Sequence, residues 1–301
     1  MDRSAHSRRT SRPEGECIRD DGGTVVTDQQ TIRGFDGGKA TVARIYDYLL
    51  GGHQNFAADR TAAEQILRAV PESRNMARSN RLFMQRAARA VTEFGIRQFL
   101  DLGSGIPTQG NVHEVAQAID PAIRVLYVDI DPVAVVASNQ ILAGNPTCRA
   151  IEADFTRPEL ILDALADGDL ATVIDLDQPT ALLYCSVLQT VPQDRVDAVV
   201  APIRDRLAAG SALVISHVSS ALSDRYSAST VSAGKDVFRR QADTEVTLRT
   251  DAQLTALFGD FTMIEPGLVP LNEWRPEPGD PDPYADKTMP SPMRGAVAIR
   301  Y

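Results

Sequence analysis

An acidic residue and two glycines mark the end of the first predicted strand. Asp101 lies in the apolar run Phe99-Leu100-Asp101-Leu102, which leads directly into Gly103-Ser104-Gly105. Glycines in such a turn let the backbone approach a ligand closely, and the helix expected after them offers free N–H groups and the positive end of its dipole. The pattern predicts a turn of the nucleotide-binding type. A tight strand-to-helix turn without any ligand is the alternative.

Further acids follow the next two predicted strands. Asp129 closes the second strand, where a carboxylate can accept hydrogen bonds from both hydroxyls of a ribose. Asp154 follows the third strand with Phe155 beside it, a pair that suits the exocyclic amine and the ring of adenine. Asp131, which precedes a proline, is instead typical of a helix N-cap. Together with Asp101, the acids at the strand ends predict an adenosine site.

Other polar residues have competing interpretations. His113 does not begin a zinc-binding HExxH motif, because position 117 is Gln117. His217 ends the fifth predicted strand, where it could be the base for an acceptor hydroxyl, but a histidine satisfied by backbone partners is the favoured interpretation. Tyr46 lies near a Gly-Gly turn and either caps the cofactor or packs in the core with its hydroxyl hydrated.

Composition excludes several classes of protein. The chain has 301 residues, 31 basic and 40 acidic side chains and a net charge of −9, which disfavours binding to nucleic acid or anionic lipid. Its three cysteines are far apart and lack a CxxC motif, so neither a disulfide framework nor a structural zinc site is expected. No apolar run approaches the ~20 residues of a membrane span. We therefore expect a cytoplasmic protein without nucleic-acid or membrane partners.

The elements that must position these residues change character along the chain. Residues 1–30 show no periodicity and are expected to form a flexible tail, and residues 31–95 show helical spacing and are expected to form an N-terminal helical cap. Residues 96–301 form the main domain, in which strand-like runs alternate with helix-sized segments, with a lid expected over residues 221–248. This alternation predicts an α/β fold with a mostly parallel sheet covered on both faces. The predicted strands are Ile96–Leu102, Ile123–Val128, Cys148–Ala153, Ala181–Val187, Ala212–Ser216, Phe261–Glu265 and Gly295–Arg300.

The sequence from about Thr41 to its C-terminus resembles a known family. Asp101 with its glycine turn, Asp129 and Asp154 resemble the first three motifs of class I S-adenosylmethionine (SAM)-dependent methyltransferases. Three longer stretches are similar to a largely actinobacterial methyltransferase family long catalogued as a domain of unknown function. They are the stretch from Ala43 to Gly52 with Asn55-Phe56, the run Asn111 to Gln117, and Pro266-Gly267-Leu268-Val269 followed by Trp274-Arg275-Pro276. The resemblance implies a Rossmann-like, seven-stranded methyltransferase sheet and SAM as cofactor.

The resemblance also implies roles for individual residues. Gly103 and Gly105 would let the backbone pass the methionine moiety of SAM, and Asp101 would orient its ammonium group. Asp129 would hold the ribose, while Asp154 with Phe155 would hold the adenine. The expected function is methyl transfer to an unidentified small-molecule acceptor, and the resemblance names neither this acceptor nor an oligomeric state.

Two other functions compete with methyl transfer as interpretations of this sequence. A non-catalytic SAM-binding or regulatory protein is the alternative, since methyl transfer needs no obligatory base or metal. An NAD-dependent oxidoreductase is disfavoured because Thr108 replaces the third glycine of a dinucleotide fingerprint. It is also disfavoured because Tyr226 is followed four residues later by Thr230, so that a Tyr-x-x-x-Lys pair is missing.

Overall fold

The structure is a computed structural model that describes residues 18–19, 25–27, 30–32, 37–107, 110–166 and 168–301. By its contacts the chain divides into two units, Met1–Asp36 and Gly37–Tyr301. The first unit contains an antiparallel sheet of three short strands, which are β1 (Ile18–Arg19), β2 (Val25–Thr27) and β3 (Gln30–Ile32). Two of these strands lie within residues 1–30, for which we expected a flexible tail. Apart from Gln30, the rest of that segment lies outside the described residues.

Helices open the second unit, as the sequence predicted. They are α1 (Val42–Leu50), α2 (Ala57–Ala69) and α3 (Ser73–Glu93). Helix α1 begins where the side chain of Thr41 accepts a hydrogen bond from the backbone N–H of Arg44. It ends at Gly51, whose φ of 86° lies in the left-handed region that favours glycine.

The strands of the second unit form one mostly parallel sheet. They are β4 (Gln98–Leu102), β5 (Arg124–Asp129), β6 (Cys148–Glu152), β7 (Ala181–Cys185), β8 (Ala212–Val218), β9 (Thr262–Met263), β10 (Val269–Pro270) and β11 (Met293–Ile299). The order is β10-β11-β8-β7-β4-β5-β6, and β9 also pairs with β11. Strands β4 to β8 run parallel, and β11 runs antiparallel to β8. The Rossmann-like sheet is confirmed, with β10 as a short addition that the sequence did not predict.

Further helices cover the two faces of this sheet. They are α4 (Val112–Gln117), α5 (Pro132–Ile141), α6 (Pro158–Ala166), α7 (Val196–Arg204), α8 (Ala228–Gln241) and α9 (Asp251–Ala256). Helix α9 begins with a capping box, in which the backbone N–H of Thr250 donates to Oε1 of Gln253 over 2.9 Å. Within the described ranges, no helix combines the length and apolarity that a membrane crossing requires.

Helix α3 packs directly on the sheet. Phe83 is fully buried and belongs to the same core cluster as residues of β4, β5, β8 and β11. Its ring meets the buried ring of Trp274 edge-on, with 5.3 Å between centroids. One turn later, Arg86 donates to the carbonyls of Trp274 over 2.8 Å and of Leu271 over 2.7 Å. Helix α3 is therefore part of the sheet's core, while α1 and α2 pack with α8 in a separate cluster.

A buried arginine connects α1 and α2 to the sheet domain. Arg44 is 2% exposed, and its Nε donates to the carboxylate of Asp59 over 3.1 Å. Its Nη1 lies 3.7 Å from Oδ2 of Asp131, the N-cap residue of α5. The hydroxyl of Thr41 donates to that same oxygen. One guanidinium thus compensates two buried carboxylates that belong to different parts of the fold.

We predict that Arg44→Met lowers the free energy of unfolding by about 3 kcal/mol, because breaking a buried ion pair leaves uncompensated charge in the interior. Urea denaturation followed by circular dichroism measures this loss. The matched control is Arg68→Met on α2, where the side chain is exposed and the expected change is within about 0.5 kcal/mol. Equal losses in the two variants would show that the Arg44 network contributes no special stability.

Candidate functional site

The glycine turn after β4 has the backbone that its sequence predicts. Gly103 and Gly105 have φ values of 67° and 66°, in the left-handed region. The backbone N–H groups of Gly103 and Ser104 both donate to the carbonyl of Val128, over 2.8 and 3.1 Å. A Cβ on Gly103 would collide with the side chain of Val187, whereas one on Gly105 would meet open space. The turn is thus packed closely on one side and open on the other.

One expectation about this turn is wrong. We expected a helix N-terminus directly after the glycines, but α4 begins only at Val112. The positive φ values of Gly105 and Gly110 are incompatible with a continuous helix. The N-terminus of α4 is closed by its own capping box, in which Glu114 accepts from the backbone N–H of Asn111 over 2.8 Å. Position 108, which argued against a dinucleotide fingerprint, lies outside the described residues.

Asp129 holds the glycine turn against the end of β5. Its Oδ2 accepts from the backbone N–H of Gly105 over 2.7 Å, and its Oδ1 accepts from that of Asp131 over 2.8 Å. Burial raises the pKa of Asp129 to about 6, although these backbone donors favour the carboxylate form. The backbone N–H of Ile130 also favours the carboxylate form. Since a carboxylate has about four lone-pair sites, it keeps capacity for a ligand. Asp131 is the predicted N-cap and accepts from the backbone N–H of Val133 over 2.9 Å.

Asp101 lies at the same edge, beside an arginine that the sequence did not single out. Burial raises the pKa of Asp101 to about 7, the charge of Arg81 partly offsets this effect, and Asp129 adds to it. Arg81 on α3 donates to Oδ1 of Asn111 over 3.4 Å, and its guanidinium lies 6.0 Å from the ring centre of Tyr46. Its buried Nε has no hydrogen-bond partner among the described residues. Because arginines recur throughout α3, their spacing in the sequence does not distinguish Arg81 from the others.

The third acid lies at the end of β6. Asp154 is half-buried, and its Oδ1 accepts from the backbone N–H of Thr156 over 2.9 Å and from its hydroxyl over 2.7 Å. Phe155 is buried in the core with its ring 6.3 Å from that of Tyr184. Asp129 pairs with Glu152 in the register of β5 and β6, so Asp154 follows a strand adjacent to that of Asp129.

The candidate catalytic residues His217 and Tyr46 are both engaged by protein groups. His217 is fully buried, with Nδ1 2.6 Å from the carbonyl of Val218 and Nε2 2.6 Å from Nη1 of Arg249. Burial and the charge of Arg249 lower the pKa of His217 to about 3. The hydroxyl of Tyr46 donates to the carbonyl of Ala77 over 3.0 Å and accepts from Asn80 over 2.8 Å. The geometry of both side chains fits a structural role and leaves no free base.

His113 is also part of the local structure. Its Nδ1 and its backbone N–H lie 2.8 and 2.9 Å from the hydroxyl of Tyr127, the residue beside Asp101 in the sheet register. Across the described ranges, no cluster of three His, Cys, Asp or Glu side chains is arranged to hold a metal ion.

A cavity of about 130 Å³ lies between the sheet edge and helices α1, α2, α3 and α8. Most of its lining side chains are apolar, including Ile45, Leu49 and Phe238. Ser186, which follows β7, and Lys235 on α8 are among its polar lining residues. Helix α8 occupies much of the segment 221–248, so the segment expected as a lid forms one wall of this cavity.

Comparison with known proteins identifies relatives over almost the whole chain. The sequence model described as "S-adenosyl methyltransferase" matches residues 28–300. A solved protein from Thermobifida fusca YX, provisionally designated a methyltransferase, is 36% identical, with 89% of this chain and 97% of that chain covered and a TM-score of 0.78. A DUF574 family protein from Streptomyces avermitilis MA-4680 is 34% identical, with 88% and 99% covered and a TM-score of 0.79. The search of curated proteins gave no match.

We predict that Gly103→Ala destabilises the protein more than Gly105→Ala. Both changes force an L-residue into the left-handed region, at about 1–2 kcal/mol, but only the first adds a collision with Val187. Thermal unfolding of the two variants measures the difference. In the double variant Gly103→Ala/Val187→Ala, the loss of stability should be smaller than the sum of the losses in the two single variants. Strict additivity would exclude the collision as the cause.

Proposed function

Because the chain belongs to the S-adenosyl methyltransferase family and its methyl donor is SAM, we propose that the edge around the glycine turn binds SAM and that the acceptor is a small molecule in the adjacent cavity. The observation that supports this best is the placement of Asp101, Asp129 and the turn at one buried edge of the sheet. As a member of this family the protein is an enzyme, so the alternative of a non-catalytic SAM-binding protein is set aside.

The residues at this edge fit the amino-acid end of SAM. Among the described residues, none donates a hydrogen bond to the carboxylate of Asp101, and the buried Nε of Arg81 has no acceptor. A carboxylate and a guanidinium with free capacity are complementary to the ammonium and carboxylate groups of an amino acid. We assign Asp101 to the ammonium group and Arg81 to the carboxylate of SAM. The open side of Gly105 leaves room for close approach of the ligand.

The other two acids fit the nucleoside part. The remaining lone pairs of Asp129 suit the ribose hydroxyls, and its contact with Gly105 couples ribose binding to the shape of the turn. Asp154 uses Oδ1 for its own turn, and we assign its Oδ2 to the adenine amine. Phe155 contributes by packing the end of β6 into the core, and its burial beside Tyr184 argues against an exposed stacking surface.

When bound, SAM supplies the electrophilic methyl group of a sulfonium. The contribution of the chain is then to align donor and acceptor and to exclude water, which needs no covalent nucleophile. His217 and Tyr46, whose hydrogen-bonding groups are engaged, position neighbouring elements in this proposal and do not accept the proton of the substrate. The apolar walls of the cavity, supplied mainly by the cap helices and α8, exclude water from the acceptor side.

We predict that Asp129→Ala weakens SAM binding about 10- to 100-fold, because charged hydrogen bonds contribute roughly 1.5–3 kcal/mol each. Isothermal titration calorimetry with SAM measures the affinity, and circular dichroism verifies folding. The matched control is Asp163→Ala, at an exposed aspartate of α6, which should bind SAM like the parent protein. Parental affinity in Asp129→Ala would remove Asp129 from the SAM site and overturn this proposal for the edge.

We also predict that SAM affinity rises with pH. The ammonium group of SAM favours the ionised form of Asp101, whose pKa of about 7 makes that form the minor one at pH 6. The affinity should therefore increase about tenfold from pH 6 to pH 8, as the ionised fraction rises. In Asp101→Asn most of this dependence should vanish, leaving the smaller contribution of Asp129 with its pKa of about 6. An equally steep profile in Asp101→Asn would assign the titration to another group.

A further inference from the structure

We infer that the methyl acceptor is a small apolar organic acid that binds in the cavity with its anionic group at Lys235. This inference rests on the proposed function and adds the chemical class of the acceptor. Its basis is a mismatch within the cavity, where one cationic side chain lies among apolar groups without a counter-charge.

The size of the cavity limits the acceptor. Its volume is about 130 Å³. An apolar protein cavity of about 150 Å³ holds one benzene molecule, so this one accommodates a single six-membered ring or a short aliphatic chain. Since the lining is mainly aliphatic and aromatic, the part of the acceptor inside the cavity is apolar.

Most polar side chains in the lining are already satisfied by the protein. Ser73 donates to the carbonyl of Val70 over 2.7 Å, and Thr190 donates to that of Val187 over 2.8 Å. The hydroxyl of Tyr46 has two partners, as described above. Such groups need no ligand to satisfy their hydrogen bonds. The exception is Gln189, whose Nε2 donates to the carbonyl of Ser186 over 2.6 Å but whose buried Oε1 has no partner among the described residues.

Lys235 differs from these residues. It is half-buried, and the described part of the chain offers its ammonium group no hydrogen bond or ion pair. The acids closest to it in sequence are used elsewhere, since Asp236 pairs with Arg239 over 2.7 Å and Asp243 with Lys39 over 3.5 Å. A cation beside apolar walls attracts an anion more strongly than it would in water. A carboxylate or another anionic group on the acceptor supplies the missing charge.

Two sets of contacts connect the cavity to the proposed donor edge. Ser186 lines the cavity, and the next residue, Val187, lies against Gly103 of the glycine turn. In the second set, Tyr46 lines the cavity while its ring faces Arg81, whose charge acts on Asp101. A molecule in the cavity therefore lies next to the elements assigned to the methionine end of SAM.

The test compares three single-ring probes of different charge on the full-length protein, namely benzoate, benzamide and benzylamine. Calorimetric titrations are run with the protein saturated with S-adenosylhomocysteine. We expect benzoate to bind about tenfold more tightly than benzamide, and benzylamine to bind least. The preference for benzoate should disappear in Lys235→Met, which keeps the aliphatic stem and removes the charge. The matched control Lys287→Met, at an exposed lysine that pairs with Asp286, should keep the preference.

Several outcomes would overturn the inference. Equal affinities for benzoate and benzamide, or a preference that persists in Lys235→Met, would exclude Lys235 as the anion site. If neither benzoate nor benzamide binds with a Kd below about 10 mM, a single-ring acid in this cavity is excluded. Val246→Phe, which fills the cavity from the segment after α8, should weaken benzoate and benzamide alike, and unchanged binding would place the probes elsewhere. Lys235→Gln replaces Lys235→Met if the latter does not fold by circular dichroism.

Failure of the proposed function gives a different result. A titration of S-adenosylhomocysteine alone reports on the donor edge and does not involve Lys235. If that ligand does not bind while benzoate still depends on Lys235, the donor assignment fails and the anion site remains. If S-adenosylhomocysteine binds and the preference for benzoate is absent, the donor edge remains and the acceptor class proposed here is wrong.

Discussion

The buried guanidinium of Arg44 is the interaction on which the arrangement of the site depends. It lies between Asp59, which also accepts from the backbone N–H groups of Thr41 and Phe56, and Asp131, which caps α5. Without the guanidinium, two carboxylates would remain in the interior at a large desolvation cost. The charges of Arg44, Asp59 and Asp131 are balanced only when all three side chains are in contact. This contact fixes α1 and α2 relative to α5, and hence relative to the strand end that carries Asp129. The cavity exists because the cap helices are held in this position.

Helix α3 connects α1 of the cap to strand β8 of the sheet. Asn80 bridges the hydroxyl of Tyr46 on α1 and that of Ser216 on β8, and both Asn80 and Ser216 are buried. One turn further, Phe83 packs into the main core of the sheet. Helix α3 therefore contributes simultaneously to the core, the cavity wall and, through Arg81, the charge at the donor edge. The expected boundary between cap and main domain at residue 95 follows the change in sequence pattern. In the structure, however, residues on both sides of it belong to the same hydrophobic core.

The sequence predicted those features that depend on local rules. Strands β4 to β8 follow from short apolar runs, the turn at Gly103 from its glycines, and the N-cap at Asp131 from the following proline. The position of α4 could not be predicted, because the left-handed backbone at Gly110 delays the helix beyond the turn. Arg81 was missed for a different reason. Its importance comes from tertiary contacts with Asn111 and Tyr46, which no periodicity along α3 reveals.

The two halves of the proposed site carry opposite electrostatic preferences. At the proposed donor edge, burial raises the pKa of Asp101, the charge of Arg81 partly offsets this effect and the charge of Asp129 adds to it. An added cation would therefore stabilise this edge. In the cavity, the uncompensated ammonium of Lys235 favours an anion. Arg81 interacts with both regions, because its charge acts on Asp101 and its guanidinium lies 6.0 Å from the ring centre of Tyr46. In the proposed arrangement, the cationic methyl donor and the anionic acceptor are each favoured in a different half of the site, so the charges of the chain contribute to the orientation of the two substrates.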